Sequence, residues 1–506
     1  MENKLTKAVI LWAVLAILFF GCRDAFHSPE YDPGTATFNP DGVKRTVTFN
    51  ANGGSGSAPS QRSAQSGETI LLPYADNLTR TGYTFEGWNT NAAGTGSNFP
   101  AGSTFTVPNQ DVALFARWNA VGSPDPGPGP DLGPNPGPGP GGSTPPTFTV
   151  SNATEWNNAI SAINAGDNNV WYTITITNDF SLPGIPNNQT TFSLTGLNLI
   201  IQGSRTISLS SSGSLLSIGF EQNITVRDIN LRGMNTNNAP LVYVSNGSFT
   251  MLGSASINSN TANSGAGIYV LFGTLTMRDS ARVNGNTALR VQSPAGWFTQ
   301  GNGAGVYLFN GTFNMWNNAS VSGNIADFAG SGVVLDGFST FFMYQNASVS
   351  DNSINNINNV SGAVALYSTN GNNSFTMQDN ATVSNNQGGG VFVASGCVFT
   401  MRGNAFVSGN TNGFQGGGVS VSGQFILDGG SIFGNSAELG GGIFLDSSGS
   451  FSLLRGMVYG TGEGANSNSA TYGASLFVMG DADTYSGISL PYTMPNGTYT
   501  DYTISR

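Results

Sequence analysis

Phe249-Thr250-Met251 returns along the chain as Leu275-Thr276-Met277, Phe313-Asn314-Met315, Phe341-Phe342-Met343, Phe375-Thr376-Met377 and Phe399-Thr400-Met401. Degenerate copies follow at Phe425-Ile426-Leu427 and Phe451-Ser452-Leu453. Successive copies start 26, 38, 28, 34, 24, 26 and 26 residues apart. A shared minimum with variable additions is the mark of a solenoid, one coil per repeat with loops of free length. Period-two alternation within the phrase points Phe and Met to one side and Thr to the other.

Working outward, each copy is preceded by a glycine-led strand, as in Gly265-Ala266-Gly267-Ile268-Tyr269-Val270, Gly388-Gly389-Gly390-Val391-Phe392-Val393 and Gly440-Gly441-Gly442-Ile443-Phe444-Leu445. A third strand follows it, opening on a small residue (Ala255, Ala281, Ala319, Ala347, Ala381, Ala405) and running through Val or Ile to an asparagine. Those asparagines are Asn260, Asn286, Asn324, Asn352, Asn386, Asn410 and Asn435. Equivalent positions in adjacent coils lie about 4.8 Å apart, so the asparagines are expected to stack as a structural ladder. The fold class that follows is all-β, a right-handed parallel β-helix with three strands per coil. Residues 166–490 leave room for about a dozen coils.

Composition agrees. Of 506 residues, 70 are Gly and only 9% are charged, yet 39% are hydrophobic, which excludes disorder driven by charge. A formal charge of −11, with Lys confined to Lys4, Lys7 and Lys44, excludes a nucleic-acid partner. Cys22 and Cys397 are the only cysteines, so no disulfide framework is expected.

The expected organisation has five parts. Residues 1–21 read as a signal peptide, two lysines followed by the apolar run Ala8–Phe20, too short to span a bilayer. Phe19-Phe20-Gly21-Cys22 resembles a lipobox, although Phe19 departs from the usual Leu. The resemblance implies lipidation of Cys22, a membrane partner and a cell-envelope location, surface-exposed on an outer membrane. Residues 22–45 are a tether. Residues 46–119 combine a Thr48-Phe49-Asn50-Ala51-Asn52-Gly53-Gly54 start, a Gly82-Tyr83-Thr84-Phe85-Glu86-Gly87-Trp88 centre and an Ala116-Arg117-Trp118 end. That order resembles the Listeria–Bacteroides repeat of the internalin B-repeat type, which implies a small β-grasp-like module without catalytic residues. Trp88 and Trp118 are expected in its core. Residues 120–146 are a Pro/Gly-rich, semi-stiff linker. Residues 147–506 are the helix, with Asn152-Ala153-Thr154-Glu155 opening a short N-terminal capping helix and 482–506 closing the last coil.

The Val-Ser-Gly-Asn and Gly-Gly-Gly-Val phrases over about 240–445 also resemble the repeats of chlamydial polymorphic membrane proteins, which implies a role in adhesion. Beyond the helix no run of ten-residue alternating strands is seen, so lipidation rather than a barrel is expected to hold the chain.

β-Helices also include polysaccharide lyases and hydrolases, which need paired carboxylates or a positioned base. The column after each Met reads Leu252, Arg278, Trp316, Tyr344, Gln378, Arg402, Asp428, and the next reads Gly253, Asp279, Asn317, Gln345, Asp379, Gly403, Gly429. Neither sets acids on neighbouring coils. No His or Lys follows residue 146, so no metal, cofactor or nucleophile–base triad is expected, and the protein reads as a non-enzyme. Loop acids around Asp327, Asp336 and Asp351 are the alternative. Candidate ligand contacts are Trp316 and Tyr344, in one outward column, and Arg290, Trp297 and Phe298 in the insertion before them. Exposed aromatics there would stack on sugars or anchor a matrix or host protein. The bland reading of Trp316 and Tyr344 is an ordinary pair on the outer face. The sequence leaves the oligomeric state open.

Overall fold

A computed structural model describes residues 44–120 and 146–505, apart from 74–77, 79, 81–82, 94–97, 101–103, 187–188, 292–300, 356–360, 368–371, 480–487, 490–498 and 502–503. The signal peptide, Cys22, the tether and nearly all of the linker therefore lie outside the described residues. The chain divides into two compact units, residues 1–135 and 136–506.

In the first unit a five-stranded mixed sheet runs Arg62–Gln65, Lys44–Asn50, Val112–Ala120, Tyr83–Asn89 and Asn98–Pro100 across its width. Lys44–Asn50 pairs parallel with Val112–Ala120, while its other neighbour is antiparallel. Thr69–Leu71 and Thr104–Thr106 form a separate antiparallel pair. Alternation buries Val47 and Phe49 against Trp88 and Leu114. The Trp88 indole N–H donates to the Pro73 carbonyl at 2.7 Å, and that of Trp118 to Ala51 at 2.9 Å. Both tryptophans spend their polar atom inside the module, Trp88 fully buried and Trp118 packed against its core.

The second unit is a parallel β-solenoid of about 11 turns. The repeated phrase sets its register: Phe249, Leu275, Phe313, Phe341, Phe375, Phe399, Phe425 and Phe451 stand one above the next. All eight are fully buried, and from Phe313 onward their rings stack 4.7–5.3 Å apart within 19° of parallel. Met251, Met277, Met315, Met343, Met377 and Met401 form the neighbouring inward column. Each stacked pair buries apolar surface and adds about 0.5–1.5 kcal/mol beyond that burial.

Several central coils hold more than the three strands read from sequence. After the ladder asparagine come two-residue strands, Thr261–Ala262, Thr287–Ala288, Ile325–Ala326 and Ser353–Ile354, paired parallel in a small fourth sheet. Two residues are too few for a period-two pattern to show.

The corners use left-handed backbone. Before the glycine-led strand stand Gly265, Gly303, Gly330, Gly416 and Gly440, with φ between 58° and 66°. Two positions on, Gly267 and Gly305 serve a different need, since a Cβ on either would lie 2.5 Å from a carbonyl of the next coil. The Gly-x-Gly phrase thus encodes one left-handed corner and one close inter-coil approach.

Both ends are covered. Helix α1 (Ala153–Asn164) presents Trp156, Ala159 and Ile163 to the first coils, with Ile160 partly buried beside them. Its cap is Asn152, whose side chain accepts from Glu155 N at 3.0 Å. The Glu155 carboxylate returns to Ser151 N at 2.7 Å, one residue before the expected capping-box partner. These bonds from Ser151 hold the Glu155 carboxyl below its ordinary range. At the other end, Ile504–Ser505 and Tyr499–Thr500 add antiparallel to the last coils.

Candidate functional site

The asparagine column is a continuous ladder. The side-chain amide of Asn286 donates to Asn324 Oδ1 at 3.0 Å, Asn324 to Asn352 at 3.0 Å, Asn352 to Asn386 at 3.0 Å, Asn386 to Asn410 at 2.8 Å and Asn410 to Asn435 at 2.9 Å. At Asn260 the link runs from its backbone N–H to Asn286 Oδ1 at 3.2 Å. Two members were not foreseen: Asn237 donates to Asn260 at 2.9 Å, and Asn435 donates to Asn468 at 3.0 Å. These side chains are buried and occupied by one another, so they hold coils together.

A second ladder stands where the sequence was searched for paired acids. Gly253 N donates to Asp279, Asp279 N to Asn317, Asn317 N to Gln345 and Gln345 N to Asp379, at 2.8–3.1 Å. Asp279, Asn317, Gln345 and Asp379 are left-handed, with φ of 56–59°. Their side chains cap the corner of the coil before. Asp327, Asp336 and Asp351 do not converge. They follow the short strand Ile325–Ala326, end the strand Val333–Asp336, and turn the chain after Ser348–Ser350, three different places in the coil. Asp327 accepts from Arg290 N at 2.8 Å and from Asn355 at 2.7 Å. Among the described residues no group of three His, Cys, Asp or Glu is placed to hold a metal.

The aromatic candidates need correction. Trp316 is not an exposed platform: it is only 6% exposed. Tyr344 stacks on it at 3.8 Å and 11°, and the Arg278 guanidinium lies 5.8 Å from its ring. Neighbouring coils cover the ring from both sides, which is the ordinary outer-face pair. Arg290 is exposed, its guanidinium 5.4 Å over Phe328. Trp297 and Phe298 lie outside the described residues.

A tyrosine ribbon lines the outer side of the glycine-led strands, with Tyr243, Tyr269 and Tyr307 in register. Tyr269 and Tyr307 stack at 5.0 Å, and Tyr307 donates to Asp336 at 2.9 Å. Burial, then the charges of Tyr243 and Asp336, push Tyr269 up to about 12. Burial and Asp336 push Tyr307 and Tyr367 higher still. Burial also raises the thiol of Cys397, which is free and packed in the core.

An open groove lies at another corner, between the glycine-led strand and the Phe-Thr-Met strand. There a groove of about 530 Å³ runs across successive coils, within the usual range of ligand sites. Its rim is the left-handed column Asn169, Gly196, Glu221, Asn246 and Phe272. Its floor is the first residue of successive strands, Asn198, Asn223, Ser248 and Thr274, in register. Phe272 is 53% exposed at one end. The signal was present in the sequence: Phe272-Gly273 stands where neighbouring repeats carry Asn246-Gly247 and Asn310-Gly311.

Residues 46–117 match the Listeria-Bacteroides repeat domain. Two curated proteins of Evansella cellulosilytica share stretches with the chain. One, provisionally named a Gly-rich membrane protein, is 33% identical over 79 residues, 15% of this chain and 9% of its own length. The other, provisionally named a membrane protein, is 34% identical over 64 residues, 13% of this chain and 10% of its own. The chain thus spans about a tenth of the length of these relatives. No solved structure matches.

Proposed function

We propose that this is a non-catalytic protein of the bacterial cell envelope, lipid-anchored through Cys22 on the outer surface, whose solenoid binds a ligand outside the cell. The ligand class is a polysaccharide or a matrix or host protein, and the role is adhesion. The observation that carries this reading is the corner groove, polar, open and rimmed by an exposed aromatic ring. The dispersed carboxylates support binding over hydrolysis, since acid–base cleavage needs two at a fixed separation. The repeat module and the membrane-protein names of the relatives support an envelope location.

Full-length protein in detergent, presented to an array of glycans and extracellular-matrix proteins, tests this reading, with mass analysis of any bound glycan. Saturable binding with the ligand intact is expected. A shortened glycan would replace the reading with an enzyme, and silence across the array would leave a passive coat protein.

A further inference from the structure

Two side chains of the groove, Glu221 and Phe272, sit on left-handed backbone that their residue types disfavour, and of the two only Phe272 is aromatic. The corner column requires left-handed backbone at every rung, with φ from 51° to 71° between Asn169 and Gly337. Asn169, Gly196, Asn246, Asn310 and Gly337 are residue types that tolerate it. Phe272, at φ 51°, is a bulky residue held against its preference. Burial does not offset this, because more than half of it faces solvent. Phe309 meets its ring edge-on at 6.0 Å and steadies it. Strain kept at an exposed aromatic points to use of the ring itself.

The surroundings select the partner. The floor offers amides and hydroxyls, which pair with sugar hydroxyls in both directions. Among the described residues no Lys or Arg lines the groove and Glu221 is its one carboxylate, so an anionic chain is repelled. Phe272 is the one aromatic ring in the groove's lining, while the exposed Phe220 and Phe338 lie outside it, and one ring is too little for a protein hot spot, which needs a desolvated cluster. The rungs repeat about every 4.8 Å along the solenoid, so an extended pyranose chain can meet equivalent groups coil after coil. Resting on the ligand-binding reading above, we infer that this groove binds a neutral, extended glycan lying along the solenoid axis, with one sugar ring stacked on Phe272.

The test is calorimetric titration of the full chain with cellohexaose, laminarihexaose, xylohexaose and mannohexaose, and with oligogalacturonate as the anionic counterpart. At least one neutral hexasaccharide binds, oligogalacturonate binds about tenfold more weakly, and Phe272→Asn loses about tenfold in affinity. Phe272→Trp keeps binding. Because Asn suits the left-handed corner, Phe272→Asn melts at or above the wild-type temperature, separating recognition from folding. Unchanged affinity in Phe272→Asn, preference for oligogalacturonate, or failure of every neutral sugar overturns the inference. If the neutral sugars fail while a matrix protein binds the array, the glycan assignment falls and the scaffold reading stands. If both are silent, both fall.

Discussion

Replacing Asn352 by alanine removes a buried side chain from the middle of the ladder. Its amide donates to Val321 O at 3.1 Å and to Asn386 Oδ1 at 3.0 Å. Its Oδ1 accepts from both the backbone N–H and the side-chain amide of Asn324, each at 3.0 Å. Four hydrogen bonds go at once. The Asn324 amide nitrogen keeps partners at Val283 and Ser322, and Asn386 Oδ1 keeps the Asn352 backbone N–H. The Asn324 backbone N–H and one acceptance at Val321 O are then left in a dry interior. Each stranded buried group costs about 1–3 kcal/mol, and with the weakened network the total is about 3–5 kcal/mol. Because a solenoid responds locally, native-state hydrogen exchange is the assay. Protection in the coils around Asn324 and Asn352 should fall by about two to four orders of magnitude. Ser348→Ala, half-buried on the preceding strand, should change protection by less than about threefold. Equal effects of the two substitutions would refute the ladder as a structural device.

Phe375→Ala opens the ring stack between Phe341 and Phe399 and should cost about 3–5 kcal/mol by thermal melting, whereas Phe338→Ala, 65% exposed, should cost under about 0.5 kcal/mol. Gly330→Ala combines φ 58° with a Cβ 2.1 Å from Val334 Cγ2, while Gly285→Ala has φ 64° and open space. The first should lower the melting temperature more than the second, since only it adds overlap to left-handed strain. Alkaline titration followed by tyrosinate absorbance should show Tyr269 ionising only near 12 in the folded protein. Its folded pKa lies above the unfolded value of about 10, so stability is full below pH 10 and is lost as pH rises toward 12. Constant stability across that window would refute the burial of the ribbon.

The solenoid is legible in sequence because one physical demand, inward Phe and Met at fixed spacing, repeats in every coil. The ladder is legible for the same reason, yet Asn237 and Asn468 escape it. Asn237 lies in an irregular early coil, and Asn468 follows an inserted turn at Gly464–Asn466, so neither has the Val or Ile three residues before it that the other ladder asparagines share. Trp316 shows a different limit. Alternation places it on the outer side of its strand, but exposure depends on what adjacent coils lay over it, and Tyr344 and Arg278 cover it. Phe272 is the converse: a substitution in the corner column that matters only once the left-handed geometry of that column is known.

The most direct test places wild-type protein and Cys22→Ser, each expressed in a bacterium that processes lipoproteins, with liposomes over a surface coated with the ligand found on the array. The account predicts that the wild type sediments with lipid, tethers the liposomes, releases them to soluble ligand and leaves the coating intact. Cys22→Ser still binds the coating but tethers no lipid. Equal tethering by both proteins, or a coating eroded by the wild type, would contradict an anchored, non-catalytic binding scaffold.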